Sequence, residues 1–425
     1  MKKQIADFLI VGGGVIGISV ARSLSHKYPQ AIIKLLEKEK EVSQHTSGRN
    51  SGVLHAGFYY STESLKAKFC KEGNVRWTEY CDEFKLPIRK CGKLVVPKNQ
   101  GEVEYMHDLF KQGMKNNVPL HMITAEEAKK IDSNVRGYGK EFIWSPITST
   151  VDTKALLKFM VQLIDRFQLQ FRDETHDKNP NFEILRSNEF KQPKSKDTPN
   201  VLLTQNGDQI HYKYLINAAG QQALNIAQEY GFGKDLDYFP IKGIYSISDR
   251  PLDHIYKTLV YPVPLKGAYF LGVHSTITVD GYLKVGPTVS PAFSWENYHG
   301  FQNLKFNELY RIIKNYCHLL VSDQRKLIWT FITEEMPKHS IKRLVNDVSK
   351  IHFIGPEEQK AFKSFYRPGI RAQLINKKSM KMHNDFILEF GDNQLHILNI
   401  VSPGFTCALP VADYIVDQIA LKLDK

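Results

Sequence analysis

Long apolar runs are missing from these 425 residues: none approaches the roughly 20 consecutive apolar residues that a bilayer-spanning helix needs. Any membrane association is therefore expected to be peripheral. Cysteine is scarce. The five present (Cys70, Cys81, Cys91, Cys317, Cys407) are odd in number and never spaced Cys-x-x-Cys, which argues against a disulfide framework or a zinc site and for a reducing compartment. Met1-Lys2-Lys3 leads straight into an apolar stretch, so no targeting segment is expected and a cytoplasmic location is. Neither an internal repeat nor a heptad pattern is present. Acidic residues are in deficit, 45 against 57 basic ones, giving a net charge of +12. The densest basic patches, Lys377-Lys378 to Lys381 and Lys191 to Lys196, lack the interleaved aromatics of a base-stacking platform, so no nucleic-acid partner is expected. The charge suits an anionic substrate or an anionic membrane surface. Hydrophobic residues at 42% and charged residues at 24% are ordinary for a globular protein, and the length allows two domains.

What is present begins at Asp7. The apolar run Phe8 to Val11 flows into Gly12-Gly13-Gly14-Val15-Ile16-Gly17; a helical stretch runs to about Tyr28, where Pro29 ends it. A second apolar run, Ile32 to Leu36, stops at Glu37-Lys38. Strand, glycine turn, helix, strand and acid form the dinucleotide-binding βαβ pattern. Gly12 permits the tight turn, Gly14 lets backbone approach a pyrophosphate, and Gly17 lets helix and strand pack closely. The pyrophosphate is expected on the N–H groups at the helix N-terminus, with Glu37 accepting from a ribose. This unit alone leaves NAD and FAD open.

Gln44 to Gly57 carries three glycines and two histidines in fourteen residues and reads as a segment that lets backbone pass close to a cofactor. Leu65, Phe69, Trp77, Tyr80 and Phe84 recur at helical spacing over Glu63 to Phe84. A strand is expected over Lys93 to Val96, and a helix over about Gly101 to Asn116. Thr124 and Glu127 form a capping box, and Asp152 is expected to cap a helix with an apolar face from Leu156 to Phe167. Residues 173 to 200 read as an irregular excursion or hairpin. Lys213 to Gly220 is a strand ending in Asn217-Ala218-Ala219-Gly220, which can give backbone to the same nucleotide. Strands are expected over Ile241 to Ser248, Leu259 to Val263, Ala268 to His274 and Tyr282 to Gly286, followed by helices near 301 to 319 and 322 to 333. Leu395 to Ile400, the turn Pro403-Gly404-Phe405 and a helix to about Leu423 complete the nucleotide domain. A nucleotide domain to which the chain returns twice favours FAD.

These features resemble the D-amino-acid-oxidase-type FAD-dependent oxidoreductases, and within them the L-2-hydroxyglutarate dehydrogenase family. The resemblance is carried by Ser47-Gly48-Arg49-Asn50-Ser51-Gly52-Val53-Leu54-His55-Ala56-Gly57 with Tyr59-Tyr60; by Ser64 to Lys68 with Cys91-Gly92-Lys93-Leu94; by Tyr261-Pro262-Val263-Pro264 with Phe270-Leu271-Gly272-Val273-His274; and by Gly369-Ile370-Arg371-Ala372-Gln373. Two positions depart from it: Lys242 stands where the family often has arginine, and Phe405-Thr406-Cys407-Ala408 is bulkier than usual. The expected fold is α/β: a discontinuous Rossmann-like FAD-binding domain (1–85, 148–235 and 350–425) with a second, α+β substrate domain on an antiparallel sheet (86–147 and 236–349). Cofactor contacts are expected from Gly12, Gly14, Gly17, Glu37, Lys38, Ser47, Asn50, Ser51, Gly52, Ala219, Gly220, Gly369, Arg371, Pro403, Gly404 and Phe405.

The resemblance implies FAD-dependent oxidation of L-2-hydroxyglutarate to 2-oxoglutarate, with electrons leaving to a membrane acceptor such as quinone and attachment to the inner face of a membrane. Such a reaction needs a base for the hydroxyl proton, a cationic clamp for the carboxylate, and positive partial charge for the reduced flavin. Pro403-Gly404-Phe405 at its helix N-terminus suits the last role. The clamp falls to Arg371 with Lys242 and Tyr245; Lys66, Arg49, Arg367 and Tyr60 are candidates for a second carboxylate. His55 and His274 are both candidates for the base. His55 also stands in a context similar to the Trp-His-Ala-Ala-Gly of sarcosine and dimethylglycine dehydrogenases, whose histidine bonds covalently to FAD; the family resembled here generally holds FAD noncovalently. The other histidines are expected at the surface. Alternatives are an amine or amino-acid oxidase of the same fold (glycine, sarcosine or a D-amino acid), an NAD-dependent dehydrogenase, and a non-catalytic nucleotide-dependent nucleic-acid-binding protein.

Overall fold

The computed structural model describes residues 3–169, 181–195, 198–264 and 272–423. The chain divides into two compact units, Met1–Gly48 with Thr153–Phe239 and Ala372–Lys425, and Arg49–Asp152 with Pro240–Arg371. The segments 49–85, 148–152 and 350–371, expected in the nucleotide domain, thus fall in the second unit, and 236–239 in the first. The physical reason is pairing. Val53–Leu54 and Ile88–Arg89 both pair with Ser149–Val151, and Gly369–Arg371 pairs with Ile241–Gly243.

The first unit is built on an eight-stranded sheet. Lys3–Val11 lies between Gln209–Asn217 and Ile33–Leu36, parallel to both. Gln394–Ile397 continues the parallel run beside Leu215–Asn217. These strands read as continuous apolar runs because parallel strands are buried on both faces; Leu9, Ile10, Ile33, Leu35, Leu215 and Ile216 are all at 0% exposure. Helix Val15–Lys27 packs against the C-terminal helix Gly404–Leu423 and against Thr153–Leu169. Part of the stretch read as an irregular excursion or hairpin is regular structure and includes a hairpin. Phe182–Leu185 is an edge strand parallel to Ile33–Leu36, and Phe190–Ser195 with Thr198–Thr204 forms a hairpin on the other edge. Residues 170–180 and 196–197 lie outside the described residues.

The second unit holds another eight-stranded sheet, in the order Gly369–Arg371, Ile241–Pro251, Tyr282–Pro291, His274–Ile277, Leu259–Pro262, Lys93–Val96, Glu141–Ser145, His121–Thr124. It is antiparallel except where Leu259–Pro262 meets Lys93–Val96. His274 begins its strand rather than ending one, and residues 268–271 of the expected strand lie outside the described residues, as do 265–267 before it. Helix Leu65–Glu83 starts at Ser64, whose hydroxyl accepts from Ala67 N, and buries Phe69, Trp77 and Tyr80. Asn99 caps Gln100–Lys115 and the Thr124–Glu127 box caps Ala125–Ile131; such caps contribute about 1 kcal/mol each. Two histidines expected at the surface are buried. In this unit His352 bridges Ser275 Oγ (2.7 Å) and Asp132 Oδ2 (3.1 Å); in the first unit, His396 meets Asn217 Nδ2 at 3.0 Å. Both are satisfied core groups that tie strands together.

Candidate functional site

In the first unit the site is made of backbone. Gly12 has φ +110°, and a Cβ there would meet Ala218 O at 2.5 Å and Ala219 Cα at 2.8 Å. A Cβ on Gly17 would stand 2.0 Å from Gly12 O, so only glycine lets the helix close onto the turn. Gly14 is the N-cap, with no side chain to cap the helix and no acidic residue in its first turn. Ser47 Oγ accepts from Val15 N at 2.9 Å. Glu37 is nearly buried. Its carboxylate accepts from Gly13 N and Glu39 N, both at 2.8 Å, and burial leads in raising its pKa. Each oxygen keeps a lone pair for a further donor. Lys38 turns to Glu39 at 3.6 Å. Ala218 N donates to Val11 O at 2.9 Å, and the position of a Cβ on Gly220 is open space. Gly404 opens the C-terminal helix directly after Pro403, and Phe405 lies in its first turn. A helix N-terminus that its own N-cap leaves open, a glycine cradle a side chain would fill and an oriented carboxylate fit the ADP half of FAD.

In the second unit the site is made of side chains. His55 follows the short strand Val53–Leu54, whose backbone is tied to helix Leu65–Glu83: Asn74 Nδ2 donates to Leu54 O at 3.0 Å, and Cys70 Sγ lies 3.4 Å from His55 O. His274 stacks on the Tyr261 ring at 3.8 Å and meets Tyr245 edge-on at 6.2 Å. Its Nδ1 donates to Gly272 O at 2.9 Å. A carbonyl only accepts, so the proton of a neutral ring sits on Nδ1 and Nε2 carries the lone pair. Burial pushes His274 down to about 3; the Gly272 bond opposes this, while Lys93, Arg371 and Lys284 reinforce it. His55 is likewise pushed to about 3, by burial first and then by Lys93, His274 and Arg371. Both imidazoles are therefore neutral at physiological pH.

Lys93 is fully buried, with Nζ 4.5 Å from the Phe58 ring centroid, 4.7 Å from Tyr59 and 5.0 Å from Tyr261, and no hydrogen-bond partner. Burial lowers its pKa to about 7, and that of Lys284 to about 8. Lys284 Nζ reaches Ser51 O at 3.4 Å and lies 5.6 Å from the Tyr245 ring. Among the described residues, Arg371, Lys93 and Lys284 make no ion pair with a carboxylate.

The expected residues His55, His274, Arg371 and Tyr245 thus act on one another electrostatically. Lys242 is not among the charges acting on either histidine; it is buried, its pKa lowered by that burial, with Nζ 3.5 Å from Asn297 Oδ1. Asn50 Oδ1 accepts from Gly52 N at 2.8 Å, which shapes the loop before His55. Gly369 is bare because Arg49 O would stand 2.1 Å from a Cβ there. Arg49 itself lies over the Tyr298 ring at 4.0 Å, Lys66 lies 5.8 Å from the Tyr60 ring, and Arg367 is exposed. Sequence reasoning assigned no role to Lys93, Lys284 or Tyr261. The signal was a lysine inside an apolar strand, in Lys93-Leu94-Val95-Val96 and Leu283-Lys284-Val285.

Residues 7–418 match the family described as FAD dependent oxidoreductase (DAO). The chain belongs to that family. It is 30% identical over 434 residues to the mitochondrial L-2-hydroxyglutarate dehydrogenase of Homo sapiens, covering 98% of this chain and 89% of the human one. With the Escherichia coli K12 L-2-hydroxyglutarate dehydrogenase it shares 29% identity, covering 97% and 93%. Within the FAD-dependent oxidoreductases it is a member of the L-2-hydroxyglutarate dehydrogenase family. Its fold is similar to that of FAD-bound L-alpha-glycerophosphate oxidase from Mycoplasma pneumoniae (TM-score 0.72, 22% identity, 97% of this chain and 94% of that one). Glycine oxidase from Geobacillus kaustophilus is similar too (TM-score 0.69, 14% identity, 99% and 95%). The cofactor of this oxidoreductase is FAD. Among the described residues no helix is long and apolar enough to cross a membrane.

Proposed function

We propose that this oxidoreductase converts L-2-hydroxyglutarate to 2-oxoglutarate and passes the electrons to a membrane acceptor such as a quinone. The reading is carried by one observation: two neutral imidazoles stand among Lys93, Lys284 and Arg371, and among the described residues no carboxylate pairs with these cations. Unpaired buried charge is costly, and a dianionic substrate offsets that cost on binding. Arg371 holds the C1 carboxylate, because a guanidinium can grip both oxygens and fix the direction of the Cα–H bond. Lys284 faces the second carboxylate as a point charge. His274 takes the hydroxyl proton on Nε2, since Gly272 keeps the ring's own proton on Nδ1. His55 is the alternative base. The Tyr59, Tyr245 and Tyr261 rings exclude water and strengthen these interactions. Bound FAD supplies the hydride acceptor at N5. Gly12, Gly14, Gly17, Glu37 and Ser47 hold its ADP half noncovalently, and the helix opening at Gly404 provides positive partial charge.

Anaerobic addition of L-2-hydroxyglutarate to the purified holoenzyme tests this reading. The oxidised-flavin absorbance band is expected to bleach in one turnover, with 2-oxoglutarate recovered. Bleaching by glycine, sarcosine or a D-amino acid, and none by L-2-hydroxyglutarate, would replace it with an amine-oxidising function.

A further inference from the structure

Buried polar side chains are costly unless partnered, and a fully partnered set fixes one arrangement of the elements it joins. One such set lies in the second unit. Asp132, Ser275 and His352 are 1%, 0% and 0% exposed. His352 Nε2 lies 3.1 Å from Asp132 Oδ2, and His352 Nδ1 lies 2.7 Å from Ser275 Oγ. Asp132 Oδ2 also accepts from Lys257 N at 2.7 Å, and Oδ1 accepts from Asn134 N at 3.0 Å. Burial works to raise the Asp132 pKa, but the His352 bond and charge, with the Lys257 and Asn134 N–H groups, outweigh it and hold it below the ordinary value. The carboxylate therefore accepts only, and His352 Nε2 donates to it. The Tyr256 ring closes the set, edge-on to His352 at 4.9 Å.

These contacts hold the two strands that carry Tyr261 and His274. Lys257 leads into Leu259–Pro262, and Ser275 is the second residue of His274–Ile277. The strands pair antiparallel through Val260 and Ser275, and Ser275 Oγ lies 3.4 Å from Val260 O. One step along this register Tyr261 stands opposite His274, and the two rings stack at 3.8 Å. Successive strand residues point to opposite faces. The core agrees: Val260 packs in the cluster of Leu94 and Ile351, Tyr261 in that of Phe58 and Val95. The Asp132 set and the His274 stack are thus the two sides of one strand pair. A one-residue slip would turn His274 away from the face of Tyr261.

We propose that Asp132, His352 and Ser275 are positioning residues for the reaction: they fix the strand register that stacks His274 on Tyr261 and leaves its Nε2 for the substrate hydroxyl. Asp132 holds one strand at its entry through Lys257 N, and holds the other through His352 and Ser275. The inference rests on the reading of His274 as the base. A misplaced base costs rate rather than binding, because Arg371 and Lys284 still face the carboxylates.

Ser275→Ala in the FAD-loaded enzyme removes the hydroxyl. For L-2-hydroxyglutarate, kcat is expected to fall about tenfold or more, with KM held within about twofold. Ser275→Thr and Ser275→Val share one shape, and only the threonine, which keeps the hydroxyl, is expected to retain the higher kcat. Anchoring is measured separately, without substrate, by diethylpyrocarbonate, which acylates accessible neutral imidazoles. His274, 3% exposed in the wild type, is expected to react several-fold faster in Ser275→Ala. His396, buried in the other unit, is to react no faster, which shows that the fold survives. Where Ser275→Ala fails to fold, His352→Gln is measured the same way: its amide keeps a donor for Asp132 and has no Nδ1 for Ser275. An unchanged His274 modification rate, a change in KM alone, equal kcat for the threonine and valine variants, or equal loosening of His396 overturns the proposal. Turnover that survives His274→Ala sinks the base reading instead, and the modification rate of His274 still decides the anchor.

Discussion

The two units solve opposite problems with opposite materials. The glycine-turn unit presents backbone: Gly12 and Gly17 have no room for a side chain, and Gly14 brings no capping side chain of its own to Val15–Lys27. The other unit gathers His55, Lys93, His274, Lys284 and Arg371 into surroundings that depress the pKa of both histidines and both lysines. Backbone N–H groups suit a cofactor that is kept, because they neither titrate nor change rotamer. Buried, underpartnered cations suit a substrate that comes and goes, because the anion relieves on arrival a cost the free protein carries.

The comparison is sharpened most by His274→Ala. Turnover is expected to fall by about 10²–10⁴-fold, the usual worth of a positioned base, while flavin content stays at the wild-type level. Loss of flavin together with activity would break the separation. Lys93→Met should act in the other direction and stabilise the fold. The folded pKa, about 7, lies below the ordinary lysine value of 10.5, so the folded state binds fewer protons than the unfolded one. The penalty is full below pH 7 and fades as pH rises towards 10.5. Denaturant unfolding at pH 6 should give a gain of about 3 kcal/mol, shrinking at pH 10; a loss would mean that the cage is held together by its charge. Gly17→Val belongs to the first unit. Its side chain meets Gly12 O, and overpacking of about 2 kcal/mol should appear as flavin lost on gel filtration, with thermal unfolding at lower temperature. Smallest is Arg371→Lys, which replaces a fork with a point charge. KM for L-2-hydroxyglutarate should rise roughly tenfold, with kcat changed less; an unchanged KM would remove Arg371 from the clamp.

The same contrast decides what could be read in the sequence. The glycine turn is a local object: Gly12 to Glu37 is one strand–helix–strand passage, and each residue type follows from backbone geometry. The cation cluster draws on residues 55, 93, 274, 284 and 371, which no spacing rule joins. His55, His274 and Arg371 came into view through family resemblance, whereas Lys93 and Lys284 hid inside apolar strands and were passed over. Domain boundaries erred for a related reason. Residues 49–85 follow the nucleotide unit in sequence, yet Val53–Leu54 pairs with Ser149–Thr150 in a small three-stranded sheet of the other unit. The buried His352 and His396 were misread because their partners, Asp132, Ser275 and Asn217, are remote in the chain.

The central claim is that His274 stays neutral among cations and serves as the base. The pH profile of kcat/KM for L-2-hydroxyglutarate tests it most directly, because that ratio reports groups of the free enzyme. With His274 held near 3 and Lys93 and Lys284 near 7 and 8, the profile should be flat from about pH 4 to about 6 and decline through about 7 to 8 as the lysines lose their charge. A decline on the acid side, centred on the ordinary histidine value of 6.5, would contradict the account.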